Sequence, residues 1–68
     1  MKIKYFEDTD TALVELAPHD VAETREISEN VYVDLDSRGN LVSITIEHAE
    51  ENANIHEVAY EQMSKKIA

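Results

Sequence analysis

Residues Asn30–Glu47 read NVYVDLDSRGNLVSITIE, and this stretch decides the fold. Two runs alternate apolar with polar residues, and Ser37-Arg38-Gly39-Asn40 separates them. Val31, Val33 and Leu35 fall on one face of the first run, and Val42, Ile44 and Ile46 on one face of the second. Most of them are β-branched and they recur at period two, which is the pattern of half-buried strands. The chain's only glycine sits in the separator, where a tight turn needs positive φ. The stretch is a β-hairpin.

The pattern extends outward on both sides. Upstream, Lys2–Phe6 reads as a strand with Ile3 and Tyr5 on one face. Glu7-Asp8-Thr9-Asp10 is a polar turn cluster. Thr11–Leu16 reads as a second strand, with Ala12, Val14 and Leu16 on one face and Leu13 beside Glu15 on the other. Ala17-Pro18-His19-Asp20 ends it, because proline donates no ladder hydrogen bond. Thr24-Arg25-Glu26-Ile27, within Val21–Ser28, reads as a short edge strand whose charges discourage stray pairing.

Downstream, His48–Ala53 is polar and reads as a helical turn or a loop. Asn54 has the character of an N-cap, with Glu57 three residues on. Ile55, Val58, Ala59, Met63 and Ile67 keep the i, i+3, i+4 rhythm of one helical face, and Lys65 and Lys66 fall in the last turn. The spacing predicts one C-terminal amphipathic helix over 54–67. A helix of ~14 residues is marginal in water, so its stripe needs a surface, either the chain's own sheet or a partner. The expected architecture is α+β: one domain over 1–68, with an antiparallel sheet of four to five strands in 1–47 and the helix in 54–67.

Composition bounds what such a domain does. A chain of 68 residues buries only roughly 60 % of its unfolded surface. Small domains add disulfides, a metal or a second subunit. There is no cysteine, and three histidines build no closed structural zinc site by themselves, so homo-oligomerisation, as a dimer, is the expectation. Fifteen acidic residues against six basic ones give a net charge of −9. That charge repels nucleic-acid phosphates and anionic lipid, and favours basic partners. No apolar run approaches the ~20 residues of a membrane span, and Met1-Lys2-Ile3-Lys4-Tyr5 lacks the apolar stretch of a signal peptide. The expected location is the cytoplasm.

No motif carries chemistry. Asp34-Leu35-Asp36-Ser37-Arg38-Gly39 imitates the start of a calcium loop, but Arg38 replaces an oxygen ligand and the twelfth position is Thr45 rather than glutamate. His19, His48 and His56 have no i, i+4 spacing that would aim two rings at one metal. Asp34 and Asp36 lie on one strand face but flank a turn, where solvent keeps carboxylates ordinary; Glu23 and Glu26 add nothing to them. Ser28, Ser37, Ser43 and Ser64 lack the glycines of a nucleophile elbow. A single glycine also excludes a glycine-rich phosphate loop. The sequence therefore predicts no catalytic residue, no metal and no cofactor. Tyr5 reads as core. Leu13 with Tyr32 on one sheet face, and Ile55, Val58, Ala59, Met63 and Ile67 on the helix, are the candidate interface residues.

Several segments together carry a family resemblance over residues 1–50. They are Lys2-Ile3-Lys4-Tyr5, Asp10-Thr11-Ala12-Leu13-Val14-Glu15-Leu16, Val21-Ala22-Glu23-Thr24-Arg25-Glu26-Ile27, and Val33-Asp34-Leu35-Asp36 with Gly39 and Leu41-Val42. The chain resembles the small bacterial proteins grouped as domain of unknown function 2283. Similar members often read G-I-E-I where this chain has Ser43-Ile44-Thr45-Ile46, so Thr45 takes the glutamate's place. The resemblance implies a compact β-rich domain with a helical element, and no activity. Three functional readings stay open. The first is a non-enzymatic homo-oligomeric interaction module. The second is an antitoxin-like or regulatory partner of a basic protein. The third is a small enzyme or ligand-binding domain using carboxylates and His48 in a dimer cleft.

Overall fold

The computed structural model describes residues 1–65. It contains β1 (Lys2–Phe6), β2 (Thr11–Glu15), β3 (Glu23–Ser28), β4 (Val31–Leu35), β5 (Leu41–Glu47) and α1 (Ala49–Asn52). The five strands form one sheet in the order β1-β2-β5-β4-β3, every neighbour antiparallel. Strands β3, β4 and β5 are joined by hairpins, and β2 lies beside β5 after a longer link, which is the Greek-key order. That link is held at both ends. The Leu16 and Ala17 N–H groups donate to Val42 O (2.8 and 3.1 Å), and the Ala22 N–H donates to Leu35 O (2.8 Å).

The hairpin predicted from Asn30–Glu47 is present. In its turn the Asp36 carboxylate accepts the N–H groups of Arg38 (2.9 Å) and Asn40 (2.8 Å). Gly39 takes φ 83°, with open space where a Cβ would sit. A register shift between Asp34 and Leu35 places Leu35 opposite Leu41. The edge strand read in Val21–Ser28 is β3, whose six residues are all exposed. A second bulge between Glu26 and Ser28 disrupts its pairing, as suits an edge.

Register fixes two faces. Ala12 pairs with Tyr5 and Ile46, Val14 with Ile3 and Ile44, and Val31 and Val33 with Ile46 and Ile44. Strand alternation therefore gathers Ile3, Tyr5, Ala12, Val14, Val31, Val33, Leu35, Val42, Ile44 and Ile46 on one apolar face. The other face carries Lys2, Lys4, Thr11, Leu13, Glu15, Thr24, Glu26, Tyr32, Asp34, Ser43 and Thr45.

Over 54–65 the predicted C-terminal helix does not form. Among the described residues the helix is α1, four residues at Ala49–Asn52, and nothing from Asn54 to Lys65 is helical; Ile67 lies outside the described residues. The Asn54 carbonyl accepts the Glu57 N–H (3.2 Å) in an isolated turn instead of Asn54 capping a helix. Val58, Tyr60 and Met63 are 62 %, 86 % and 76 % exposed. The physical reason is the one the periodicity raised: an amphipathic stripe without a covering surface does not offset the cost of helix nucleation.

The sheet is consequently a single layer. Among the described residues Ala12, Leu35, Val42 and Ala49 are the buried apolar ones, and no large side chain is fully buried. The accessible surface is 5741 Å², where a compact protein of 7.7 kDa exposes about 4,300 Å². The radius of gyration is 14.1 Å against about 11 Å for a compact chain of 68 residues.

Candidate functional site

The apolar sheet face is the largest coherent feature of the molecule, and polar groups frame it. At the β1–β2 end, Asp10 is the hub. It adopts φ 53°, a left-handed conformation that aspartate tolerates better than most residues. Its carbonyl accepts the Ala49 N–H (2.9 Å), and its Oδ1 accepts the Glu50 N–H (3.1 Å) and the Tyr5 hydroxyl (2.7 Å). The Tyr5 hydroxyl also lies 3.3 Å from Glu50 Oε1. His56 Nε2 is 3.1 Å from that same oxygen, and its ring meets Tyr5 edge-on with centroids 5.8 Å apart. These contacts tie the chain after β5 back to the β1–β2 turn. The bond to Asp10, partial desolvation and the charges of Asp10 and Glu50 push the Tyr5 phenol well above the ordinary tyrosine range. At the β3 end, Arg25 pairs with Glu23.

The structure scatters the residues singled out from sequence. Leu13 and Tyr32 share the polar face, both half-buried. Both are register partners of Thr45, which separates them by two strand spacings, about 10 Å. The Tyr32 hydroxyl donates to Glu29 O (3.4 Å), and burial with the nearby charges of Glu26, Glu47 and Glu29 raises its pKa. Ile55 is half-buried beside the exposed Val58 and Ala59. Tyr5 is not the core residue its alternation predicts but a half-buried polar anchor.

The expectation of ordinary carboxylates at Asp34 and Asp36 needs correction. Asp34 accepts from Ser43 Oγ (2.6 Å) and Thr24 Oγ1 (2.5 Å), a polar tie across β3, β4 and β5 that lowers its pKa. Asp36 is lowered by the backbone N–H groups of Asn40 and Arg38. Each carboxylate serves its own structural hydrogen bonds, so the two do not form an acid/base pair. His48 takes φ 52° at the start of α1, with Nδ1 2.9 Å from Asn30 Oδ1. The Glu50–His56 pair is within hydrogen-bond reach, but the side chains are 57 % and 67 % exposed. Among the described residues no three metal-ligating side chains converge. The surface depressions, such as the one between His19, Asp20, Asp36 and Arg38, are open to solvent.

Sequence reasoning missed Asp10. Its role depends on partners forty residues away, and the available signal was an aspartate closing a turn cluster immediately before a strand. The apolar stripes of the strands were legible in the sequence, but not which strands lie side by side to join them into one face.

A family model described as "Protein of unknown function (DUF2283)" matches residues 2–50. No curated protein and no solved structure matches the chain.

Proposed function

The chain belongs to the DUF2283 family, and from that premise we propose that it is a non-enzymatic interaction module that homodimerises through the apolar face of its sheet. The observation that carries this reading is a five-stranded single layer in which, among the described residues, no large side chain is fully buried. An apolar face framed by polar groups has the anatomy of an interface, with a dry centre and a wet rim. The exposed area exceeds that of a compact monomer by roughly 1,400 Å², and covering apolar surface is the dominant favourable term in association.

The matched stretch supports a second copy as the cover. Residues 2–50 contain all five strands, the whole apolar face, and the Asp10 contacts to Ala49 and Glu50. They exclude 51–65, so the matched unit carries this face without the tail. Two such faces stack about 10 Å apart as a sandwich. Net charge −9 makes a basic surface the favoured chemistry for any further protein partner, and cytoplasmic action fits the reading. No helix among the described residues is long and apolar enough to cross a membrane.

Light scattering at micromolar concentration tests the proposal. The expected mass is twice the 7.7 kDa of one chain. A monomer whose unfolding is independent of concentration ends it.

A further inference from the structure

Five strands (~4.8 Å apart) of about five residues each project a flat area of roughly 400 Å² per face. The excess surface of the single chain, roughly 1,400 Å², is more than that one face supplies. The rest lies elsewhere, and two apolar patches qualify. One is the tail after Ala53, with Val58, Tyr60 and Met63 exposed. The other is the β3 side, where Ile27 is 64 % and Val21 51 % exposed and one flank of the strand has no partner among the described residues.

The start of the tail and β3 lie at opposite edges of one sheet. The tail leaves the body beside Tyr5 of β1, held by the His56 contacts, and β3 is the other edge of the sheet. A two-fold axis parallel to the strands of a sandwich brings them together, because it places the β1 edge of one copy over the β3 edge of the other. The same sandwich blocks the route to the chain's own β3, since that route crosses the apolar face. We propose that in the dimer each tail clasps its partner, seating Val58, Tyr60 and Met63 against the partner's β3 edge at Ile27. The clasp rests on the sandwich reading. It draws on that excess surface, covers an open sheet edge that otherwise invites stray pairing, and gives the 54–65 segment the surface it lacks in the single chain.

The chain has no cysteine, so one placed in the tail carries a unique label. The full chain with Ser64→Cys, spin-labelled, is mixed with unlabelled chain enriched in nitrogen-15. The expected result is broadening of the Arg25, Glu26 and Ser28 amides of the enriched chain. A particle with dimer mass but no such broadening overturns the clasp and leaves the sandwich standing. A monomer by mass overturns the sandwich reading first. In a second arm, Val58→Ser with Met63→Ser raises the dimer dissociation constant at least about tenfold. Because these residues are exposed in the single chain, the monomer's fold does not depend on them. An unchanged dissociation constant refutes the clasp.

Discussion

If two copies share the apolar face, unfolding must depend on protein concentration, and Ile44 is where to perturb it. Ile44 lies at the centre of the face, paired with Val14 on one side and Val33 on the other, and it is only half-buried in a single chain. Unfolding takes up about 0.7 kcal/mol of enthalpy per residue, or about 95 kcal/mol for two chains of 68 residues. With that enthalpy, each tenfold rise in concentration lifts the Tm of a two-state dimer by about 5 °C, so moving from about 1 to about 100 µM lifts it by about 10 °C. Fully burying an isoleucine is worth ~1.5–3 kcal/mol, of which the single chain already realises about half. The two-fold axis doubles the remainder to about 1.5–3 kcal/mol, so Ile44→Asp weakens association by about ten- to a hundredfold even before the cost of a desolvated carboxylate is added. Differential scanning fluorimetry over the concentration series reads the first effect, and analytical ultracentrifugation of the variant reads the second. A wild-type Tm that stays within about 1 °C across the series refutes the reasoning. So does an Ile44→Asp chain that keeps the wild-type mass.

Local geometry sets three further outcomes. Gly39→Ala lowers stability by about 1–2 kcal/mol in urea unfolding, purely from left-handed strain, because no atom lies near the new Cβ; Gly39→Asn loses less. Asp34 is held below its ordinary pKa by Ser43 and Thr24, so its stabilisation is present above the unfolded-state value near 4 and is lost as pH falls through the lower folded value. Acid unfolding followed by circular dichroism should therefore be less steep in Ser43→Ala, and an identical acid limb would count against the tie. The Tyr5 phenol is raised, so its protonated form contributes stability at neutral pH that is lost as pH rises through the folded pKa. Absorbance at alkaline pH should show a late-ionising tyrosine that Tyr5→Phe abolishes and Asp10→Asn shifts earlier; a late phase that survives Tyr5→Phe assigns it elsewhere.

The sheet was legible because its information is local. Val31, Val33, Ile44 and Ile46 alternate over adjacent residues, and Gly39 marks the reversal. Even β3 could be read, since a charged strand without a buried stripe is what an edge requires. The strand order was not legible. Pairing of β2 with β5 depends on residues about thirty apart, and no local pattern encodes it. The helix was misplaced for a related reason. The 3.6-residue rhythm from Ile55 to Met63 is real in the sequence, but rhythm states which face wants cover and not whether cover exists. Asp10 escaped notice because a turn aspartate satisfies its local role without revealing that it also anchors Tyr5, Ala49 and Glu50.

The misplaced helix and the bare sheet are one observation. A domain whose apolar stripes found each other within the chain would have met both expectations, burying Val14, Val33 and Ile44 under the helix formed by the tail. Here Val14, Val33 and Ile44 stay only half-buried, and the tail from Glu57 to Lys65 stays exposed. Hydrophobic surface is indifferent to whether its cover is covalently attached. The Asp10 hub fixes the chain at Ala49 and Glu50 beside the β1–β2 turn, and so sets where the 51–65 segment starts. Loosening the hub, as in Asp10→Ala, frees the tail to fall back on its own sheet. In the sandwich reading that variant trades dimer for closed monomer, so sedimentation should show weaker association although Asp10 lies at the rim and not in the shared face.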